Sequence, residues 1–426
     1  MYNIIAFFLA FLCFIPKGVA GTIGFGTFNI GWMDLTILLT VMYLISSNGF
    51  TLKSFSSKYD RDFIVAIVLI AMISAVFSSH PLVAIKNILK LIEAVIVYLF
   101  FCHINARSFW IILCGLLTGA LVSLFFLDFH LSDSKIYSAS YLITGIGLLL
   151  IAMREDSKKT LKFRYYLFFM VFIFVFLSFL TYPKKGAVLA FVVAIVLLFL
   201  FKQIKINKVS ILIIVLVVAS IFIFPYLNPR THNQSEEVVS FLSGEQNEYT
   251  SSLYMRGLQY LLIPKLILHP TSVGYGTSQL IGGIDSQLYA DMKTISLEVF
   301  GFVPYHAVFH IGSNIYSDNL YVTLAAELGL LSLLLLFFLI RVLKNYYTHD
   351  KLTFIYIISI LVFSVSTIDI GIYRGTQIFF LNPLLFAFII KSKQTRPNLT
   401  RKLPKWQVKV IILSRSDIKY LLKKIK

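Results

Sequence analysis

Residues 154–201 read REDSKKTLKFRYYLFFMVFIFVFLSFLTYPKKGAVLAFVVAIVLLFLF. Five bases lie between Arg154 and Arg164, an apolar run follows at 165–181, and a second run occupies 187–201. Runs of this kind suit helices that cross a hydrocarbon core of about 30 Å. The turn between them, Tyr182-Pro183-Lys184-Lys185-Gly186, folds the second run back beside the first. The stretch therefore reads as a pair of antiparallel membrane spans with a strongly basic cluster at one mouth.

The same pattern extends over most of the chain. Apolar runs at 4–20, 30–47, 63–79, 87–105, 108–127, 136–153, 165–181, 187–201, 209–227, 319–340, 352–370 and 375–390 predict twelve spans. Hydrophobic residues make up 58% of the sequence, charged ones only 14%, and the mean hydropathy is +0.83. A water-soluble domain carries about a quarter charged residues. The fold class is all-α and polytopic. The chain divides into helices 1–9 over 1–227, a large loop at 228–318, helices 10–12 over 319–390 and a basic tail at 391–426. Lys17 and its neighbours Pro16 and Gly18 interrupt the first run, where a cleaved leader is the alternative. No positive segment precedes that run, which favours a span.

A net charge of +18 would suggest nucleic acid in a soluble protein. Its distribution points to membrane topology instead. With both termini on one side, the segments on that side hold 27 of the 38 lysines and arginines. That side is the cytoplasm by the positive-inside rule, so the expected location is a bacterial inner membrane with the large loop facing the periplasm. In the tail, Trp406, Val408, Val410, Ile411, Ile412 and Leu413 alternate with Lys405, Lys409 and Arg415. Two readings stand: a surface helix on anionic membrane lipids, or a tail that only fixes topology. Cys13, Cys102 and Cys114 fall in or beside apolar runs and show neither disulfide nor metal spacing; they read as packing residues.

The loop at 228–318 has eight acids and four bases over 91 residues. That is too long for a simple connection. Leu253 to Leu268 is apolar with Arg256, Gln259 and Lys265 spaced along it, and reads as a helix kinked by Pro264. Glycines follow in Gly274-Tyr275-Gly276 and Gly282-Gly283.

Polar groups near the expected outer face are few, which makes each a candidate. Lys184 and Lys185 oppose the topogenic bias; snorkelling to the interface is the plainer alternative. Arg256 sits on the loop helix, where a solvated or ion-paired role is the alternative. Arg374 lies in Gly371-Ile372-Tyr373-Arg374-Gly375, where pairing with Asp369 would explain it. Within the spans, Glu93 follows Lys90 by three residues, the spacing of a local ion pair. Asp34 opens the second span, where capping explains it. His306 and His310 are four apart and would share a helix face, but a zinc site needs three or four ligands, so a metal is not expected.

Three segments resemble the bacterial O-antigen polymerase (Wzy) and O-antigen ligase superfamily. Ser317-Asp318-Asn319-Leu320-Tyr321, followed by Glu327-Leu328-Gly329, is similar to that family's polar-Asn-x-Tyr and Glu-x-Gly segment. Arg256 to Gly276, with its apolar helix and Pro270, is similar to the family's loop segment. Lys184-Lys185-Gly186-Ala187 stands where members often show Ser-Arg-Gly-Ala. Ser317 and Asp318 occupy the positions before Asn319 where ligases show histidine, which is more like a polymerase. Lysine in place of arginine at 185 leaves a point charge where the family has a planar fork.

The resemblance implies a GT-C-like helical membrane enzyme. It would transfer a growing glycan from undecaprenyl diphosphate to an undecaprenyl-diphosphate-linked repeat unit at the periplasmic face. No cofactor is implied. Arg256, with His310, His306 and Asp318 as candidate bases, would serve catalysis. Lys184, Lys185, Arg374, Asn319 and Tyr321 would bind substrate. A chain-length regulator is among the partners it implies, and no nucleic acid is. The alternatives are an O-antigen ligase, another lipid-linked glycan transferase, or a polysaccharide transporter. Transporters often show two matching halves, and residues 1–213 and 214–426 show no such repeat.

Overall fold

A computed structural model of the chain describes residues 2–15, 22–25, 28–47, 55–78, 81–104, 108–126, 134–154, 161–181, 185–203, 243, 257, 260–261, 263–268, 293–299, 301, 320–364 and 380–394. The run at 209–227, most of the large loop and the tail beyond Gln394 lie outside them.

Helices dominate. In chain order they are α1 (Tyr2–Leu12), α2 (Trp32–Ser46), α3 (Lys58–Val76), α4 (Pro81–His103), α5 (Phe109–Phe126), α6 (Ser134–Arg154), α7 (Leu161–Leu180) and α8 (Lys185–Leu200). After these come α9 (Ile263–Ile267), α10 (Leu320–Leu328), α11 (Leu331–His349), α12 (Lys351–Ser364) and α13 (Leu381–Gln394). The helical character is compatible with the expected all-α class, and two local features add to it. β1 (Thr22–Phe25) and β2 (Phe28–Gly31) form a short antiparallel hairpin between α1 and α2, with Ile23 opposite Ile30. The run at 319–340 holds two helices, α10 and the start of α11, broken at Gly329-Leu330. Gly329 takes φ +53, the left-handed conformation that ends a helix and that glycine adopts without strain.

α7 and α11 are each long and apolar enough to cross a membrane alone, and α1, α2, α5, α6, α8, α12 and α13 include shorter apolar helices. Their outward faces are apolar as well. Leu38, Met42 and Ile45 of α2, Phe169 and Phe172 of α7, and Leu336, Phe337 and Ile340 of α11 are all exposed. So many large apolar side chains facing outward suit lipid rather than water.

Late helices pack among early ones. α12 lies against α6 and α8, and α13 against α4 and α6. At the centre, the Phe14 ring stacks on Tyr141 at 5.5 Å, and Phe109 meets Phe388 edge-on at 4.1 Å. Hydroxyls join helices where lipid offers no alternative partner. Ser138 and Ser178 exchange bonds between α6 and α7, and the Ser123 and Tyr141 hydroxyls lie 2.6 Å apart. Arg154, buried at the end of α6, donates to the Ile389 carbonyl at 2.7 Å and to Asp350 at 2.5 Å.

The α1–α5 contact depends on two glycines one turn apart. A methyl group on Gly115 would lie 2.6 Å from the Phe7 carbonyl oxygen, and one on Gly119 would lie 2.4 Å from that of Phe11. Backbone cannot give way as a flexible side chain can. Gly119→Ala is expected to destabilise the protein by about 1–3 kcal/mol, the range of core overpacking. Gly145→Ala is the control, because its methyl meets Val175 at an ordinary 3.5 Å. Melting temperatures in detergent check the pair: Gly119→Ala falls and Gly145→Ala does not.

Candidate functional site

The candidate site is built at one end of the bundle, where α3 and α10 meet. α10 begins at Leu320, directly after the Ser317-Asp318-Asn319 segment, and ends at Leu328. Ser74 near the end of α3 donates to the Glu327 carbonyl at 2.8 Å, fixing α10 against α3. Tyr321 projects from the first turn of α10 and donates its hydroxyl to the Leu361 carbonyl at 2.7 Å. The last four carbonyls of a helix have no partner inside it, so Tyr321 satisfies one of those of α12.

The loop reaches the same place. α9 packs on α10, with Leu266 buried. Lys265 beside it faces outward. Gly257, Tyr260 and Leu261 are helical too, so helical backbone recurs along the stretch read as a loop helix. The structure thus brings the loop segment that follows Arg256 against the helix that follows Asn319. Arg256, His306, His310, Asp318, Asn319, Lys184 and Arg374 lie outside the described residues. Lys185 is the first residue of α8, so the free N–H groups of that helix begin at the lysine pair.

A charged cluster sits on the adjoining helices. The Lys90 ammonium is shared between Asp34 of α2 and Glu93 of its own helix, the latter at 2.7 Å. Asp34 also accepts from the Gly31 N–H at 2.7 Å, which caps α2. The Phe380 ring lies 5.8 Å from the ammonium, on the residue that leads into α13. The pairing of Lys90 with Glu93 and the capping role of Asp34 match the sequence reading. That one lysine joins both does not follow from sequence, because Asp34 and Lys90 come from separate helices with no periodicity relating them. The cluster carries one net negative charge and has its positive charge already matched, so it offers acceptors for hydroxyls rather than a cation for phosphate. Among the described residues, no group of three or more His, Cys, Asp or Glu could hold a metal ion.

The described residues form a helical bundle with apolar outward faces, compatible with a membrane protein, and α9 from within the long loop packs on α10, the helix that follows it. Residues 169–337 match a family model described as O-antigen ligase (Wzy_C). The matched stretch starts in α7, takes in the lysine pair and the whole loop, and ends in α11. The match supports a relation of this region to the O-antigen polymerase and ligase superfamily, whose members are membrane enzymes acting on lipid-linked glycans. No curated protein and no solved structure matches the chain.

Proposed function

We propose that the protein is an O-antigen polymerase of a bacterial inner membrane. It moves a growing surface glycan from undecaprenyl diphosphate to an undecaprenyl-diphosphate-linked repeat unit at the periplasmic face. The supporting observation is the family match over 169–337, within which the loop helix α9 packs on α10.

In this reading an acceptor sugar hydroxyl attacks the anomeric carbon of the growing chain. A glycosidic C–O bond forms, the bond to phosphate breaks, and undecaprenyl diphosphate departs with the bonding electrons. The hydroxyl proton passes to a base, for which His310, His306 and Asp318 are the candidates. Arg256 with Lys184, Lys185 and Arg374 holds the diphosphate and stabilises the charge that grows on it. Asn319 binds the sugar. Tyr321, held on α10 by its bond to the Leu361 carbonyl, is the second candidate for binding that sugar.

The ligase reading has its own support, since the matching model is described by that activity. Ser317 and Asp318 in place of histidine favour the polymerase. Deleting the gene and resolving surface glycan on a gel separates the two. Loss of the ladder with a single repeat still attached to its lipid core is the expected polymerase result. Complete loss of attached glycan would establish the ligase instead, and an unchanged ladder would overturn both.

A further inference from the structure

Asp60 stands in the first turn of α3, ahead of the apolar run at 63–79. It lies at the opposite end of the bundle from the candidate site. Its N–H donates to Ser57 Oγ at 3.1 Å, which caps the helix. The residue is only 2% exposed. The Tyr346 hydroxyl of α11 donates to its Oδ2 at 2.6 Å, while its Oδ1 has no hydrogen-bond partner among the described residues. A buried carboxylate normally finds a cation or several donors.

Among the described residues, no cation forms an ion pair with Asp60. From α4, Tyr98 and Cys102 face the same pocket: the Tyr98 hydroxyl lies 2.7 Å from Ser56 Oγ, and Cys102 Sγ lies 3.3 Å from it. From α13, Phe386 packs between Tyr98 and Tyr346, and Lys391 donates to the Cys102 carbonyl at 3.1 Å. Arg341 of α11 lies over the Tyr59 ring. On α3 itself, Arg61 pairs with Asp62, and Lys58 is exposed.

We propose that Asp60 is a proton-binding site whose neutral acid ties α3, α4 and α11 together at this end of the bundle. A proton on Oδ1 turns an orphaned acceptor into a donor and removes a charge that nothing offsets. Burial pushes the carboxyl above its ordinary value, against the opposing pull of the hydroxyls of Tyr346, Ser57 and Tyr98. A carboxyl raised by folding holds its proton more tightly when the junction is closed than when it is open. The junction is therefore firmest in acid. It weakens as pH rises from the ordinary carboxylate range to the raised value, and stays level beyond it.

The test uses the full chain in membranes open on both sides, with Cys13→Ala and Cys114→Ala leaving Cys102 as the sole thiol. Infrared spectra are expected to show a protonated-carboxyl band that persists above the pH at which exposed carboxyls ionise and that Asp60→Asn removes. Alkylation of Cys102 by N-ethylmaleimide is expected to accelerate with pH severalfold more in the Asp60 chain than in Asp60→Asn. A charged carboxylate near the thiol can only slow its ionisation, so a greater acceleration in the Asp60 chain than in Asp60→Asn reports the opening of the junction and not the thiol itself. Tyr346→Phe removes a donor to the carboxylate and should move both effects to higher pH. An unchanged band and parallel alkylation series would overturn the proposal. So would failure of Asp60→Asn to fold, because Asn matches the neutral acid in shape and charge.

Discussion

Arg256→Ala is expected to abolish polymer while the protein reaches the membrane at its normal level. Helical residues recur after Arg256, and α9, with Leu266 buried, packs on α10. On the proposed reading, Arg256 lies close enough to that helix to meet the diphosphate. A planar guanidinium there can grip two phosphate oxygens at once and follow the charge that develops as the diphosphate leaves. Removing one such contact from a transition state costs about 10²–10³ in rate. Arg256→Lys keeps the charge but loses the fork, so it should be impaired as well. The measurement is a glycan ladder from each variant beside an immunoblot of membrane protein. Full ladders from both would reduce Arg256 to a structural or solvated residue.

Lys185→Ala is expected to lose far more polymer than Lys184→Ala, and Lys185→Arg to retain activity. The structure sharpens the case, because α8 starts at Lys185. The first turn of a helix presents unpaired N–H groups and the positive end of its dipole, both of which attract phosphate. Adjacent residues entering a helix point about 100° apart, so on the proposed reading only one of the two lysines is expected to reach the anion. Position 185 is where the superfamily places arginine, and arginine there restores the fork. The same ladder and immunoblot decide it. A wild-type ladder from Lys185→Ala would mean that the pair only snorkels, and the diphosphate site would then be built around Arg256 and Arg374.

Most of the helices were legible because long apolar runs announce themselves by composition and length. A helix overlaps each expected run except 209–227, which lies outside the described residues. The hairpin at 22–31 was not legible. Its strands are four residues each, too short for a period of two to stand out from the apolar run it adjoins. The break at Gly329 was hidden for a similar reason: one glycine inside a leucine-rich run leaves the hydropathy almost unchanged, and only the backbone conformation shows that the helix stops.

At the candidate site, sequence gave local relations and missed distant ones. Lys90 with Glu93 follows from helical spacing, and the cap by Asp34 follows from its place at a helix start. Lys90 with Asp34 and Asp60 with Tyr346 join residues on different helices, and Arg154 of α6 meets Asp350 at the junction of α11 and α12. Arg154 was read only as part of the basic cluster that orients the chain. Its burial and its carboxylate partner come from tertiary packing.

The Arg154–Asp350 pair has a consequence for how the protein is made. Asp350 follows Arg154 by 196 residues. At a synthesis rate of about 5–20 residues per second, the carboxylate emerges roughly ten to forty seconds after the guanidinium. The helices that fill the gaps beside α4, α6 and α8 come later still, since α12 and α13 follow Asp350. Until then Arg154 stands at the membrane without Asp350, and the faces that will receive α12 and α13 are open. A ribosome that stops short of Asp350 therefore leaves an unfinished bundle marked by charge and by empty slots, chemically distinct from the completed chain.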